Sequence, residues 1–249
     1  MLVRGFLDSA RTQVPEFDVP GHAYSWGLSP GLRGITASCP RYANGLGHVN
    51  DIPLDPTNPL TYEVLGGLLG DAAAAFPDDH FHWGGDELQV PCWNESKAVV
   101  AWMEANGYAD RSLNDFIALE DSFYQQAQAL LSQAAASAAA SASAAGAGGI
   151  GCAGGAGGAP KRAVVWEEVF FPAGAWVDRA DTFPPNGTVI ETWTGPAFLP
   201  EATSRGYDAI LAYVRASPCA RHHSSLVSKP WRTRSFNSLG VCVHVRACA

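Results

Sequence analysis

The strongest indication of the fold comes from DDHFHWGGDE, residues 78–87. This stretch reads as the end of a buried strand that opens into a glycine loop carrying two consecutive carboxylates, Asp86 and Glu87. The earlier stretch TQVPEFDVPGH, residues 12–22, has the same form and ends at His22. Because neighbouring residues of a strand point to opposite faces, Asp86 and Glu87 can serve one site only where the strand has given way to a loop.

Predicted strands and helices alternate over residues 1–213, which we treat as one domain. Helices are predicted at 59–76, at 96–106 before Gly107, and from 113 to about 133. Further strands are predicted in AVVWEEVF (163–170), TVIETW (188–193) and YDAILAY (207–213). This alternation favours a parallel sheet with crossover helices. Polar or aromatic residues at the ends of four strands favour a (β/α)8 barrel over a doubly wound sheet.

Two segments differ from the rest in composition. Residues 134–160 are almost entirely Ala, Gly and Ser, so their first half can extend the preceding helix and the whole is expected to be a flexible insertion. The tail, residues 214–249, has six Lys or Arg and no Asp or Glu, and no helix or strand period persists in it. It is expected to be irregular or non-native, with a basic surface tail as the alternative.

Composition excludes several functions. The net charge of −8 argues against nucleic acid as a partner. No apolar run is long enough to span a membrane, and the N-terminus lacks the pattern of a signal peptide. None of the six cysteines forms a CxxC pair, so a metal site is not expected. Two glycosylation sequons, at Asn94 and Asn186, support a secretory route only weakly.

The adjacency of Asp86 and Glu87 restricts their chemistry. Most glycosidases place an acid and a nucleophile or base on opposite sides of the scissile bond, about 5–9.5 Å apart, which adjacent residues cannot easily do. If both act, one protonates the leaving oxygen while the other handles a nearby group of a substrate that supplies its own nucleophile. An acidic loop or a helix N-terminus stabilised by carboxylates is the alternative. Spacing alone leaves both interpretations open.

Four motifs in order resemble the family 20 glycoside hydrolases, the β-N-acetylhexosaminidases, and in particular their lysosomal and plant branch. The motifs are EFDVPGHAYSWG, HFHWGGDELQVPCW, VVWEEVF and IETW, and the resemblance covers residues 1–213 apart from the Ala/Gly/Ser segment. It implies a (β/α)8 barrel, terminal N-acetylglucosamine or N-acetylgalactosamine residues of glycans as substrate, and no metal or organic cofactor. A location in the lysosome or vacuole, or secretion, is implied, as is a homodimer of the full-length protein.

The resemblance also assigns roles to individual residues. Glu87 matches the general acid/base, and Asp86 matches the carboxylate that holds the 2-acetamido N–H while the acetamido oxygen attacks the anomeric carbon. His22 matches a histidine that supports these carboxylates, and Asp18 lies in the same motif. Trp166 and Trp193 match tryptophans that line the N-acetyl pocket, and Glu168 lies in one of the matching motifs. Trp83 and Trp93 are expected to pack in the core, and His82 to be structural.

Cys39 and Cys92 match a pair that is disulfide-bonded in eukaryotic members of the family, so the resemblance predicts this bond. Some features of the family have no counterpart in this sequence. One is an arginine, and another is an aspartate that partners the histidine matched by His22; in the family both come before the position of Met1. The last strand of the barrel also has no counterpart. The chain is therefore expected to hold about strands three to seven of eight, and on its own to be poorly stable with weak or no activity. Rival hypotheses are a non-catalytic carbohydrate-binding relic and a different barrel hydrolase.

Overall fold

The computed structural model of the chain describes the following residues: 14–45, 51–76, 78–108, 110–144, 161–212, 232–235 and 242–245. Close contacts divide the chain into two units. The first consists of residues 1–82 and 87–162, and the second of residues 83–86 and 163–249. The division falls between Asp86 and Glu87, so the two carboxylates belong to different units.

The first unit is mainly helical. Its elements are α1 (Pro40–Gly45), α2 (Pro59–Ala75), β1 (His80–His82), α3 (Val90–Glu95), α4 (Lys97–Ala105) and α5 (Leu113–Ala144), with 3-10 helices at Tyr24–Leu28 and Pro30–Leu32. Asn58 caps α2, because its side chain accepts a hydrogen bond from the Leu60 N–H at 3.0 Å, and Pro59 suits the first helical position. The predicted helices at 59–76 and 96–106 are confirmed.

Helix α5 is longer than its apolar periodicity predicted. It continues through residues 134–144, in line with the expectation that the alanine-rich first half of the Ala/Gly/Ser segment can extend it, since alanine is the best helix former. Its buried side chains include Phe116, Phe123 and Ala127. The rest of the Ala/Gly/Ser segment, residues 145–160, lies outside the described residues, so its flexibility stays a prediction.

The predicted strand that leads to His22 is reduced to one parallel bridge, between Glu16 and His82. His82 N–H donates to the Pro15 carbonyl at 2.9 Å, and Phe17 N–H donates to the His82 carbonyl at 3.1 Å. Prolines 15 and 20 lack the N–H groups that a longer ladder needs. The backbone beyond the bridge is therefore free to turn toward His22.

The second unit holds the parallel strands β2 (Arg162–Trp166), β3 (Thr188–Thr192) and β4 (Asp208–Leu211). Strands were predicted in all three places, but the one predicted at 163–170 ends at Trp166 and is followed by a 3-10 helix at Glu167–Val169. Trp166 lies opposite Glu191 in the β2–β3 register, and β3 pairs in parallel with β4. Residues that follow β2 and β3 therefore come out at the same edge of the sheet, as the barrel hypothesis requires. A cluster of aromatic rings packs in this unit, with 4.9 Å between the centroids of Phe170 and Tyr207.

Two segments of the tail depart from the irregular structure expected for residues 214–249. They form β5 (Arg232–Ser235) and β6 (Cys242–Val245), an antiparallel pair, and β6 pairs antiparallel with β4. The order in this part of the sheet is β2-β3-β4-β6-β5. An edge strand such as β4 offers unpaired backbone groups, and the valines of β6 suit a strand. The remainder of the tail lies outside the described residues.

Among the described residues, no helix combines the length and the apolar character needed to cross a membrane.

Candidate active site

The loop after β1 gives Glu87 an unusual backbone. Gly84 and Gly85 have positive φ values of 67° and 92°, and Glu87, which is not a glycine, has φ 51°. Left-handed conformations of this kind are uncommon for residues with a Cβ atom and cost about 1–3 kcal/mol, so they persist where surrounding contacts hold them. The expected glycine loop is present, and it leaves the Glu87 side chain 47% exposed.

His22 is surrounded by carboxylates of the first unit. Its Nε2 lies 3.5 Å from Glu87 Oε2 and 3.8 Å from Asp18 Oδ2, while its Nδ1 lies 3.5 Å from Asp51 Oδ1. The His22 backbone also has positive φ, 46°. Because a carboxylate lies near each ring nitrogen, the imidazole is oriented, and in its protonated form it can form an ion pair with Glu87. The structure thus brings together His22, Asp18 and Glu87, and adds Asp51, which sequence reasoning missed.

His22, Asp51 and Glu87 also form a candidate cation-binding site in the first unit. The ligand atoms of His22, Asp51 and Glu87 lie within 4.8 Å of one another. An imidazole and carboxylates are also groups that transfer protons. Exposed acidic groups commonly cluster without an ion. The prediction that no metal or cofactor is needed stays a prediction.

A disulfide connects the residue before α1 to α3, the helix that follows this loop in sequence. Cys39 and Cys92 are bonded, with 5.1 Å between their Cα atoms, and both are buried, so the predicted bond is confirmed. It lies in a core that includes Trp93, whose indole N–H donates to the Leu54 carbonyl at 2.8 Å. Trp83 and Trp93 are both 0% exposed, which confirms their predicted packing role.

Glu95 ties α3 to α1 beside the disulfide. Its two carboxylate oxygens accept hydrogen bonds from the N–H groups of Arg41 and Tyr42, at 2.6 and 2.8 Å. Burial works against the ionised carboxylate, but these donors and the charge of Arg41 outweigh it and lower the pKa of Glu95 below its ordinary value. The start of α1 is therefore fixed to the helix that follows the Glu87 loop.

The second unit carries the other predicted residues. Trp193, just after β3, is 40% exposed, and its indole N–H donates to Glu168 Oε2 at 3.1 Å. Trp166 ends β2, and Trp166, Glu168 and Asp86 are half-buried. The structure therefore brings Glu168 and Trp193 together and leaves the Trp193 side chain partly exposed. An exposed indole ring can stack on the apolar side of a sugar ring.

Glu167 is the main residue of this unit that sequence reasoning missed. It is 0% exposed, and its carboxylate accepts hydrogen bonds from the N–H groups of Trp193 and Thr194, at 3.2 and 3.0 Å, and from the Thr194 hydroxyl. A buried carboxylate needs such donors. Glu167 thus fixes the backbone that presents the Trp193 ring. The only sequence signal was its place beside Glu168 in the W-E-E motif.

Comparison with known proteins identifies the family to which the chain belongs. Residues 12–142, a little over half of the chain, match the sequence model described as glycosyl hydrolase family 20, catalytic domain. The chain belongs to glycosyl hydrolase family 20. Beta-hexosaminidase subunit alpha of Bos taurus is 33% identical over 180 residues, which cover 72% of this chain and 26% of that protein. Subunit A1 of Dictyostelium discoideum is 45% identical over 96 residues, covering 39% of this chain and 17% of that protein.

Solved structures of family 20 proteins show the same fold. The exo β-N-acetylglucosaminidase of Vibrio harveyi is 25% identical, with a TM-score of 0.50 over 80% of this chain and 25% of that chain. The Flavobacterium johnsoniae chitobiase is 21% identical, with a TM-score of 0.53 over 81% of this chain and 26% of that chain. The parallel strands and helices are those of part of a (β/α)8 barrel, as predicted. The chain spans 17–33% of the length of the first curated relatives that it matches.

Proposed function

We propose that the protein is a β-N-acetylhexosaminidase, which removes terminal non-reducing N-acetylglucosamine or N-acetylgalactosamine residues from glycans. The observation that carries this proposal is the placement of the Glu87 carboxylate 3.5 Å from His22 Nε2, in a glycine loop directly after Asp86. A half-exposed carboxylate with an oriented imidazole beside it can exchange protons with a bound substrate. Membership of family 20 supports the substrate class.

The proposed reaction is retaining and substrate-assisted. Glu87 donates its proton to the glycosidic oxygen as the bond from that oxygen to C1 breaks. The carbonyl oxygen of the 2-acetamido group attacks C1 and forms an oxazolinium ring, while Asp86 accepts the hydrogen bond of the acetamido N–H. After the aglycone alcohol leaves, ionised Glu87 takes a proton from water, which attacks C1 and opens the ring. Two displacements at C1 return its original configuration.

Trp166 and Trp193 are proposed to contact the sugar, with Glu168 fixing the Trp193 ring through the indole N–H. An aromatic ring that is already oriented loses little conformational entropy when the sugar binds. No cofactor takes part in the proposed reaction. Oligosaccharides, glycoproteins and glycolipids are the proposed sources of the terminal residue.

The disulfide supports a proposed location in the lysosome or vacuole, or outside the cell, because such bonds persist in oxidising compartments and are rare in the cytosol. Assembly of the full-length protein into a homodimer is a separate proposal, which the sedimentation of that protein would test.

The experiment is hydrolysis of nitrophenyl N-acetyl-β-glucosaminide and N-acetyl-β-galactosaminide by the purified chain, with nitrophenyl β-glucoside as the control substrate. We expect cleavage to be weak, because the chain holds only part of the barrel, and to be confined to the 2-acetamido sugars while the plain glucoside is spared. Glu87→Gln should abolish cleavage but keep binding of N-acetylglucosamine. Binding without turnover by the unaltered chain would instead support the carbohydrate-binding relic, and equal cleavage of the plain glucoside would support a different barrel hydrolase.

A further inference from the structure

Gln89 forms a bridge behind Glu87. Its Nε2 donates a hydrogen bond to the backbone carbonyl of Glu87 at 2.7 Å, and its Oε1 accepts one from the hydroxyl of Tyr42. The orientation of the amide follows from its partners, because a backbone carbonyl can only accept. One side chain thus connects the peptide group of Glu87 to a helix far away in sequence.

Tyr42 is a firm anchor for this bridge. It lies on α1, whose first N–H groups are bound by Glu95, and α1 begins one residue after Cys39, which is bonded to Cys92. The disulfide and the Glu95 hydrogen bonds therefore tie the start of α1 to α3, the helix that directly follows the Glu87 loop. Burial first, and then the negative charge of Asp51, raise the pKa of Tyr42, so its hydroxyl remains a donor at neutral and acidic pH.

Glu87 needs a contact of this kind. Its left-handed backbone is strained, and its side chain is 47% exposed, so packing alone does not fix the carboxylate. His22 approaches the carboxylate itself, whereas Gln89 acts on the peptide group, which sets the direction of the Cα–Cβ bond. An interaction with the main chain can fix the place of the carboxylate without changing its protonation.

We infer that Gln89 and Tyr42 are positioning residues that hold Glu87 in its left-handed conformation and so aim its proton at the glycosidic oxygen. The inference rests on the proposed function, because it assigns these residues to the acid step of that reaction. If the bridge is broken, Glu87 remains present and ionisable, but its carboxylate samples other positions. Proton delivery to the leaving group then becomes less efficient, while attack by the acetamido group is unaffected.

The test compares two substrates that differ in their need for an acid. A dinitrophenyl leaving group departs as a stable anion, whereas a methylumbelliferyl group is a poorer leaving group and depends more on protonation. Single-turnover rates on both N-acetylglucosaminides would be measured with the chain in excess, for the unaltered protein, Gln89→Met, Tyr42→Phe and the double variant. The control is Gln126→Met, since Gln126 also bonds a tyrosine hydroxyl, that of Tyr62, at 3.1 Å.

We expect Gln89→Met and Tyr42→Phe to slow the methylumbelliferyl substrate about tenfold, part of the 10²–10⁴-fold that a positioned acid provides. The dinitrophenyl substrate should change less than about twofold, and the double variant should be no slower than the slower single variant. Gln126→Met should affect neither rate. An equal loss on both substrates, or no loss on either, would overturn the positioning role.

Results that contradict the proposed function can be distinguished from results that contradict only the positioning role of Gln89 and Tyr42. If the proposed function were wrong, the unaltered chain would cleave neither substrate, or Glu87→Gln would leave the methylumbelliferyl rate unchanged. Loss of the methylumbelliferyl rate in Glu87→Gln, together with unchanged rates in Gln89→Met, would preserve the proposed function and remove only the inference about the bridge.

Discussion

His22 Nε2 lies 3.5 Å from Glu87 Oε2, and both residues have positive φ, 46° and 51°. Two strained residues that face each other at a glycine loop indicate that the local geometry is held for a purpose other than stability. The relationship places an imidazole, with Asp51 near its other nitrogen, beside the proposed acid/base. Such an imidazole can hold the carboxylate in place and stabilise its ionised form between the two displacements.

Substitution of His22 tests this relationship. His22→Ala should lower the rate of N-acetylglucosaminide hydrolysis about a hundredfold, because misplacement of a catalytic group by about 1 Å can cost that much. The measurement is kcat on a nitrophenyl substrate, with circular dichroism to confirm folding. His80→Ala is a matched control, since His80 also pairs with an aspartate and its side chain is likewise 25% exposed. Similar losses in the two variants would contradict the role given to His22.

The Cys39–Cys92 bond should contribute substantially to stability. It closes a loop with a sequence separation of 53, for which chain entropy predicts about 4 kcal/mol. Urea unfolding of the Cys39→Ala, Cys92→Ala double variant should show that loss in the absence of reductant. The midpoint of the unaltered chain in reductant should fall to nearly the same value. Thiol labelling of both cysteines in the unreduced chain would disprove the bond, and Cys152→Ala serves as the control.

Glu95 should make stability depend on acidic pH. Because its folded pKa lies below the ordinary value, its contribution is fully present above the ordinary glutamate pKa of about 4.3 and is lost as pH falls through the lower folded value. The difference in melting temperature between the unaltered chain and Glu95→Gln should therefore be constant from neutral pH to about 5 and shrink below about 4. A difference that widens toward acid would contradict this.

The control for the pH experiment is Glu201→Gln. Glu201 forms an exposed ion pair with Arg205, 2.9 Å between Oε1 and a guanidinium nitrogen, with both side chains 44% exposed. Exposed ion pairs contribute little to stability, so the melting temperature of this variant should equal that of the unaltered chain at every pH.

Glu167 should contribute more than its neighbour Glu168 to the free energy of unfolding of the second unit. Glu167→Gln places an amide donor among N–H and hydroxyl donors in a fully buried site, and it should reduce the free energy of unfolding by about 1–3 kcal/mol. Glu168→Gln leaves a carbonyl that can still accept from the Trp193 indole, so its effect should be under about 1 kcal/mol. Urea unfolding monitored by tryptophan fluorescence compares them, and an equal effect would contradict the anchoring role of Glu167.

The sequence was sufficient for most of the longer elements, but it did not predict α1, α3, β5 or β6, and it predicted a strand before His22 where the structure has one bridge. Apolar spacing predicted α2 and α4 with nearly correct ends, because helix propensity, an asparagine cap and a glycine terminator act locally. The parallel strands β2, β3 and β4 were predicted from short apolar runs, and the family resemblance supplied Cys39 and Cys92. The apolar spacing of α5 ends near Gln133, and the helix continues to Ala144, as the helix propensity of the alanine-rich first half of residues 134–160 allowed.

Local pattern carried less information about the site. The order Asp86-Glu87 identified the motif, but not that Glu87 would adopt a left-handed conformation or that Asp51 would lie beside His22. Residues that meet in a turn have no sequence period, and their side-chain directions depend on contacts from distant segments. The same holds for Glu167, since the sequence presents two equivalent glutamates and only the fold buries one of them.

The sequence alone therefore established most of the longer elements, the family motifs and the chemical types of the candidate residues, because these depend on neighbours along the chain. Tertiary structure alone established which further groups surround these residues: Asp51 beside His22, the Thr194 and Trp193 amides at Glu167, and the Gln89–Tyr42 bridge to the Glu87 carbonyl. The physical reason is that burial, hydrogen-bond partners and backbone strain arise from contacts between segments that lie far apart in sequence.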